Sequence, residues 1–236
     1  TPGGRDATMV ALDKVTGDEL WRSAVPGNPG AAYSSPIVTT AGGVKQYVNF
    51  VRNAVIGVRA SDGVFLWKQS GSVNGTANCS SPVAAANLVF SASGYGKGGA
   101  LVELTSSGGK TSARQVYHTR NMKNHHGGMV LLKGFLYGFN DGGGLTCLEL
   151  KTGKVAWRNR SVGKGAVTYA DGHVYLRSEG GRVALVQAST TAYKQTGVFA
   201  QPQRSRRPAW PHPVVADGKL FLRDQNILLA FDIKGR

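Results

Sequence analysis

Short hydrophobic stretches separated by glycine-rich polar turns recur along the whole chain. Between residues 34 and 70, four of them follow one another: SSPIVTT, VKQYVNFV, AVIGVRA and GVFLWKQS. Runs of four to eight residues rich in Val, Ile, Tyr and Phe and bounded by turn residues are typical of β-strands. No stretch keeps a helical spacing of apolar residues over 11 or more positions. The pattern therefore predicts an all-β protein built from short strands.

An eleven-residue motif returns with its turn and its aromatic residue in place. It reads ALDKVTGDELW at residues 11–21, GVRASDGVFLW at 57–67 and CLELKTGKVAW at 147–157. Gly in the turn accepts a positive φ at little cost, and Trp on the following strand can bury a large flat surface against a neighbouring sheet. We interpret the motif as structural. Its positions are Asp13, Gly17, Trp21, Asp62, Gly63, Trp67, Gly109, Gly153 and Trp157.

The turn glycines also set a period. Gly17, Gly63 and Gly109 are 46 residues apart, Gly153 follows 44 residues later, and the last equivalent falls at about Gly235. A period in the forties that contains four short strands predicts the blades of a β-propeller.

The repeated motif resembles the tryptophan-docking motif of the quinoprotein alcohol dehydrogenase-like propellers, which are built from PQQ-like repeats. Segments such as YSSPIV, NHHGGMVL and WPHPVVADGKLFLRD are similar to bacterial PQQ-binding-like β-propeller repeat proteins, some of them loosely called polyvinylalcohol dehydrogenases. The resemblance implies four-stranded antiparallel blades. It is specific for the fold and weak for activity, because one fold serves many functions.

The repeat divides the chain into one propeller domain, residues 1–236, with incomplete blades at both ends. We predict blade pieces at residues 1–27, 28–73, 74–120, 121–163, 164–201 and 202–236. Both end pieces supply a third strand, so they do not combine into one ordinary blade. We therefore expect the C-terminal part of a seven- or eight-bladed propeller. Its open strand edges would be covered by self-association, a partner or further blades.

Charge adds an expectation about partners. Lys and Arg number 28 against 13 Asp and Glu, a net charge of +15, which favours anionic partners such as an acidic polymer. Arg204, Arg206 and Arg207 cluster just before Trp210 and are candidates for anion binding, since arginine and an aromatic ring together can grip an anion. A solvated basic loop is the alternative. No apolar run is long enough to predict a membrane-spanning helix.

The loops that precede the first strands carry the candidate site. In a propeller the first strand of each blade lines the central channel, so NHHGG (124–128) and WPHP (210–213) would lie at the channel mouth. Histidines from two blades could bind a metal or an anionic ligand, or could simply hydrogen-bond the backbone. Adjacent histidines on a strand point to opposite faces, which is a poor metal spacing, so we predict no metal. The ligand candidates here are Asn124, His125, His126, Trp210 and His212.

Ser35 of YSSP and Ser81 of CSSP occupy corresponding positions in two earlier repeats. Their hydroxyl groups, with Asn74, Thr76 and Asn78 of NGTAN, would suit a polar or sugar-like ligand. The alternative is turn chemistry, in which Ser and Asn side chains bond their own backbone. The two cysteines, Cys79 and Cys147, are too far apart for a metal or redox motif, and we expect buried thiols.

The leading functional prediction is a non-catalytic propeller scaffold, periplasmic or secreted, that binds a small polar or anionic ligand or a partner protein. One alternative is a PQQ-dependent oxidoreductase acting on an alcohol or a sugar. For that activity the family resemblance implies PQQ, an adjacent-cysteine disulfide, a calcium ion held by carboxylates and Asn, and an Asp base. The chain has no adjacent cysteines, and its few acidic residues do not assemble such a cluster. We therefore predict no catalytic residue and no cofactor. The second alternative is a basic module that binds an acidic polymer.

Overall fold

A computed structural model describes residues 1–142 and 144–234. Within that part of the chain the regular structure consists of β-strands, with no helix, which confirms the all-β prediction. The turn glycine expected near Gly235 lies outside the described residues. The chain forms two compact units, Thr1–Lys123 and Asn124–Arg236.

Unit 1 contains one two-stranded and two four-stranded sheets, all antiparallel and ordered as in the sequence. The first sheet pairs β1 (Met9–Leu12) with β2 (Glu19–Ser23). The second consists of β3 (Ile37–Ala41), β4 (Val44–Val51), β5 (Ala54–Arg59) and β6 (Phe65–Gln69). The third consists of β7 (Val83–Ala85), β8 (Leu88–Ser93), β9 (Gly98–Ser107) and β10 (Lys110–Thr119).

The described residues of unit 2 form two four-stranded sheets and one three-stranded sheet, with the same antiparallel order. Its first sheet consists of β11 (Met129–Leu132), β12 (Phe135–Asn140), β13 (Gly144–Glu149) and β14 (Val155–Asn159). The next consists of β15 (Gly165–Ala170), β16 (His173–Ser178), β17 (Arg182–Gln187) and β18 (Gln195–Ala200). The last consists of β19 (Val214–Ala216), β20 (Lys219–Asp224) and β21 (Ile227–Asp232). Four-stranded antiparallel sheets were predicted; the blade boundaries and the blade total stay predictions.

The repeated motif forms the turn between the third and fourth strands. In its first copy the Asp13 carboxylate accepts hydrogen bonds from the Val15 and Thr16 N–H groups at 2.8 and 2.9 Å. Gly17, at φ +81°, donates its N–H to the Asp13 carbonyl at 2.9 Å and closes the turn. The equivalent backbone bonds run from Gly63 to Arg59 and from Gly153 to Glu149.

The motif tryptophans join consecutive sheets inside each unit. The indole N–H of Trp21 donates to the Ala60 carbonyl at 3.1 Å, and that of Trp157 donates to the Ser189 carbonyl at 2.8 Å. Both carbonyls belong to the equivalent turn of the next sheet. Trp67 differs, because its N–H donates to Gln46 of its own sheet at 2.6 Å, although its ring packs in one core cluster with side chains of the third sheet.

The two cysteines form no disulfide. Cys147 on β13 is buried beside Tyr137 and Trp157, and burial raises the pKa of its thiol to about 11. Cys79 is only half-buried, so the expectation of a buried thiol was wrong there, because it lies in the loop before β7 and outside the sheet. The part of the chain that the structure describes has no helix of the length and hydropathy needed to cross a membrane.

Candidate functional site

The polar residues of unit 2 converge at one end of its sheets. His125 and His126 lie in the loop before β11, and Lys164 immediately precedes β15. Asp141 and Glu179 directly follow the second strands, β12 and β16. In an antiparallel sheet the start of one strand and the end of its neighbour lie at the same edge. These five residues, named here the His126 cluster, are therefore brought to one edge by topology alone.

Within the His126 cluster the contacts are short. His126 Nε2 lies 2.6 Å from Glu179 Oε1. The Lys164 ammonium donates to His125 Nδ1 at 2.8 Å and lies 3.5 Å from an Asp141 carboxylate oxygen and 3.7 Å from Glu179 Oε1. The result is a mixed-charge network, in which each cation faces an anion or a neutral imidazole.

Burial lowers the pKa of His126, although the hydrogen bond and the charge of Glu179 act in the opposite direction. The neutral imidazole then carries its proton on Nε2, where it donates to the Glu179 carboxylate. Its Nδ1 atom is buried and has no hydrogen-bond partner among the described residues. Burial and the neighbouring Lys164 charge also lower the pKa of His125. Both imidazoles therefore favour the neutral form at neutral pH.

Trp210 lies on the outer side of His126. The two ring centroids are 5.7 Å apart, yet 58% of the Trp210 surface is exposed. The loop around Trp210 is fixed on both sides. Ala209 is buried and donates its N–H to the Glu179 carbonyl at 3.3 Å, and His212 Nε2 donates to the His126 carbonyl at 3.0 Å. The exposed indole is thus held in place.

A groove of about 860 Å³ opens beside this indole. We name it the Trp210 groove. It is lined by Pro208, Trp210, Pro211, Arg223, Gln225 and Asn226. One aromatic ring, one guanidinium and two amides face it, with no acidic side chain in the lining.

A buried ion network underlies the loop that carries Trp210. Asp224, fully buried at the end of β20, accepts hydrogen bonds from Arg204 at 2.9 Å and from the Ser205 hydroxyl. Arg177, also fully buried, lies 3.7 Å from the Asp224 carboxylate and donates to Gln201. Burial acts to raise the pKa of Asp224, but the bonds from Ser205 and Arg204 outweigh it and lower the pKa.

Arg204 was one of three arginines predicted to bind an anion. Besides Asp224, its guanidinium donates to the carbonyl oxygens of Gly180, Glu179 and Arg207. Four of its five N–H donors are therefore engaged inside the protein, which makes it a poor site for an external anion. Arg206 and Arg207 are exposed, and their anion-binding role stays a prediction.

The loops before the first strands of unit 1 differ in chemistry. The Ser35 N–H donates to the Ser81 hydroxyl at 2.9 Å. The Asn74 side chain accepts from Thr76 and Ala77, and Asn78 donates to the Arg52 carbonyl at 2.9 Å. Asn74 thus bonds the backbone of its own turn, whereas Ser81 and Asn78 bond backbone 46 and 26 residues away. Whether these residues hold a ligand or serve turn chemistry stays a prediction. A groove of about 450 Å³ lies there, with Tyr33 and Arg52 in its lining.

Unit 2 thus brings His125, His126, Trp210 and His212 together. Asn124 contributes to structure, since its buried amide donates to the Gly128 and Phe139 carbonyls at 2.9 Å. The predicted grouping of these residues with Ser35 and Ser81 stays a prediction.

The sequence interpretation missed the acidic partners. The sequence does carry a signal for these acidic partners, because each second-strand segment of unit 2 ends with an acidic residue. The segments FLYGFND, HVYLRSE and KLFLRD end at Asp141, Glu179 and Asp224. A residue that directly follows the second strand lies beside the loop before the first, so this repetition predicts a polar cluster there.

The described residues contain no group of three or more His, Cys, Asp or Glu side chains placed to hold a metal ion. The carboxylate-rich calcium site that the quinoprotein resemblance implies is therefore not matched by the residues present.

Comparisons with known proteins agree on the fold. The family model described as outer membrane protein assembly factor BamB matches residues 3–159. The structure is similar to BamB from Moraxella catarrhalis, with a TM-score of 0.66 and 11% identity over 96% of this chain and 66% of that chain. It is also similar to the computationally designed Ika8 protein, with a TM-score of 0.64 and 12% identity over 98% of this chain and 67% of that chain. Quinohemoprotein alcohol dehydrogenase from Comamonas testosteroni gives a TM-score of 0.64 and 12% identity over 94% of this chain and 49% of that chain.

The chain therefore spans less than two thirds of the BamB structure and about half of the dehydrogenase. At 11 to 12% identity the similarity to these structures concerns the fold alone. No curated protein sequence matches this chain.

Proposed function

This chain belongs to the PQQ-like propeller repeat family described as outer membrane protein assembly factor BamB, and from that premise we propose that it is a non-catalytic binding scaffold outside the cytoplasm. Its binding surface is the Trp210 groove, supported from behind by the His126 cluster. The ligand is polar or anionic, either a small molecule or a segment of a partner. The family description, which names an assembly factor of the outer membrane, supports both the scaffold role and the location.

The observation that carries this proposal is the exposed indole of Trp210 on a loop that hydrogen bonds hold on both sides. Large aromatic side chains are usually buried, because removing their surface from water is favourable. Here two hydrogen bonds, from Ala209 and His212, hold the loop while more than half of the Trp210 surface stays in contact with solvent. An aromatic anchor that is already ordered loses little conformational entropy on binding, which favours affinity.

The test is a binding titration of the full chain, followed by tryptophan fluorescence and calorimetry. The panel contains neutral and acidic oligosaccharides, acidic peptides and short oligonucleotides. We expect at least one class to bind and Trp210→Ala to weaken that binding about tenfold or more. The matched control is Tyr33→Ala, which removes an exposed aromatic ring of unit 1.

His126→Gln combined with His212→Gln should weaken the same binding, because His126 supports the indole and His212 fixes its loop. Binding that survives both the Trp210 variant and the double histidine variant would place the ligand elsewhere. A panel in which nothing binds would overturn the binding role of this surface.

The alternative of a quinoprotein oxidoreductase draws on the similarity in fold to the quinohemoprotein alcohol dehydrogenase. The residues present do not supply the calcium site, so no catalytic step follows from them. We expect no PQQ- and calcium-dependent dye reduction with primary alcohols or sugars. Reduction that depends on PQQ would favour the oxidoreductase over the scaffold.

A further inference from the structure

Three exposed arginines belong to the groove or to the loop that carries its indole. Arg223 lines the groove itself, and Arg206 and Arg207 precede Trp210 on the same loop. All three are exposed, and none forms an ion pair within the described residues. The nearest carboxylate in the sequence, Asp224, is buried and already bound to Arg204 and Ser205. Because guanidinium groups stay charged at every physiological pH, this side of the groove attracts anions.

Arg223 is also held in position. Its Nε donates to the Gln225 carbonyl at 3.1 Å across the turn between β20 and β21. The two terminal nitrogens have no partner among the described residues, so they can take a carboxylate in the two-bond geometry that guanidinium groups favour. Gln225 sits at φ +55° in this turn, next to Asn226. The guanidinium and both amides therefore project from one tight turn.

The remaining chemistry of the groove fits a sugar ring. The indole offers an apolar face on which the C–H face of a pyranose can lie. The amides of Gln225 and Asn226 each carry a donor and an acceptor, which suits hydroxyl groups that need both. The groove volume of about 860 Å³ falls within the range of ordinary ligand sites.

A nucleic acid strand fits less well. Proteins that bind single strands stack successive bases on several aromatic side chains along a basic groove. Trp210 is the one aromatic residue among the six that line this groove. An acidic peptide could pair its carboxylates with the arginines, but its binding would not require the indole or the two amides.

From these contacts we propose that the Trp210 groove binds an acidic carbohydrate chain, with one ring on the Trp210 indole and its carboxylate on Arg223. Gln225 and Asn226 hydrogen-bond the ring hydroxyls, and Arg206 and Arg207 attract the neighbouring carboxylates of the chain. This inference rests on the proposed function and names the class of its ligand.

The test compares an oligogalacturonate with a neutral galactose oligomer of the same length, titrated into the full chain by calorimetry. We expect the acidic oligomer to bind about tenfold or more tightly than the neutral one. Its affinity should fall as salt rises, because carboxylate pairing is screened. Trp210→Ala should lower the affinity for both oligomers. Arg223→Gln should remove most of the preference for the acidic one.

The matched control is Arg52→Gln, which removes an exposed arginine of unit 1 and should leave binding unchanged. Urea unfolding midpoints of all variants should match the wild type, because every substituted side chain is exposed. Two further probes carrying the same number of charges are a poly-glutamate peptide and a single-stranded oligonucleotide.

If both oligomers bind with equal affinity and Trp210→Ala weakens both, this inference is overturned and the proposed function stands. Tighter Trp210-dependent binding of the peptide or the oligonucleotide would have the same consequence. Binding of the acidic oligomer that weakens with salt but is unchanged by Trp210→Ala would also overturn the inference. Such binding would reflect general attraction to a basic surface. If no probe binds at all, the inference and the proposed binding role both fail.

Discussion

The loops before the first strands of unit 1 and of unit 2 start from the same repeat and differ in what their side chains bond. In unit 1, Ser81, Asn74 and Asn78 bond loop backbone. In unit 2, His126 bonds a side chain of the next sheet, Glu179. Trp210 packs against His126 and stays exposed.

The same repeat thus stabilises loops in one unit and presents an exposed surface in the other. Asn74 bonds the backbone of its own turn, and Ser81 and Asn78 bond the backbone of other loops, so these short polar side chains stabilise loop backbone. Longer charged and aromatic side chains span neighbouring sheets and can present a surface. Substitutions of buried polar residues in unit 1 loops should therefore change stability, whereas exposed substitutions around the Trp210 groove should change binding.

The largest effect is expected from the buried ion network beneath the Trp210 loop. Asp224→Asn removes the carboxylate that faces the fully buried Arg177 and also binds Arg204. Breaking a buried pair by removing one partner costs about 3–5 kcal/mol. We expect a loss of that order in the free energy of unfolding, measured by urea denaturation.

The matched control is Glu103→Gln in unit 1, which breaks the exposed Arg114–Glu103 pair. An exposed pair contributes at most about 1 kcal/mol. Equal losses in the two variants would contradict the structural role given to Asp224.

A smaller effect is expected from Asn78→Ala in unit 1. Asn78 is 3% exposed, accepts from the Asn74 N–H and donates to the Arg52 carbonyl. Leaving these buried groups without partners costs about 1–3 kcal/mol. The loss should be visible in thermal unfolding, while Asn53→Ala, at an exposed position in unit 1, changes little. A stable Asn78→Ala protein that has lost ligand binding would move the binding site to unit 1.

The smallest effect is expected from pH. Burial lowers the pKa of His126 and His125 in the folded protein, so the unfolded chain binds protons more readily. The free energy of unfolding should therefore fall as pH drops through the unfolded histidine pKa of about 6.5. Urea titrations between pH 7.5 and pH 5.5 measure this slope.

His126→Gln should flatten that slope, because one of the two half-buried imidazoles is gone. His118→Gln, at an exposed position on β10, should keep the wild-type slope. An unchanged slope in the His126 variant would show that the imidazole does not carry the pH dependence.

The repeat made the fold predictable. Strand lengths, turn glycines and the tryptophan spacing are local properties, so the antiparallel sheets followed from the sequence. The repeat did not predict the conformation of every turn, however. In the third repeat Gly108 and Gly109 both have positive φ and form a two-residue hairpin between β9 and β10, instead of the longer motif turn.

The site was predicted in part. His125, His126, Trp210 and His212 were expected at the same end of the blades, because all of them precede first strands. Lys164 and Glu179 were missed, since each looks like an ordinary surface charge when taken alone. The contacts of Glu179 with His126, 53 positions away, and with Lys164 show that these charges are neighbours.

The strand pattern, the docking motif and the positive charge could be read from the residues alone, because each depends on residue type and short spacing. The tertiary structure decided which polar groups meet. It brought Asp224 to Arg177 and Arg204, which removed Arg204 from the anion candidates and left Arg223 beside the indole. The physical reason is that hydrogen bonds and ion pairs act over about 3–4 Å in space, a distance that separation along the chain does not define.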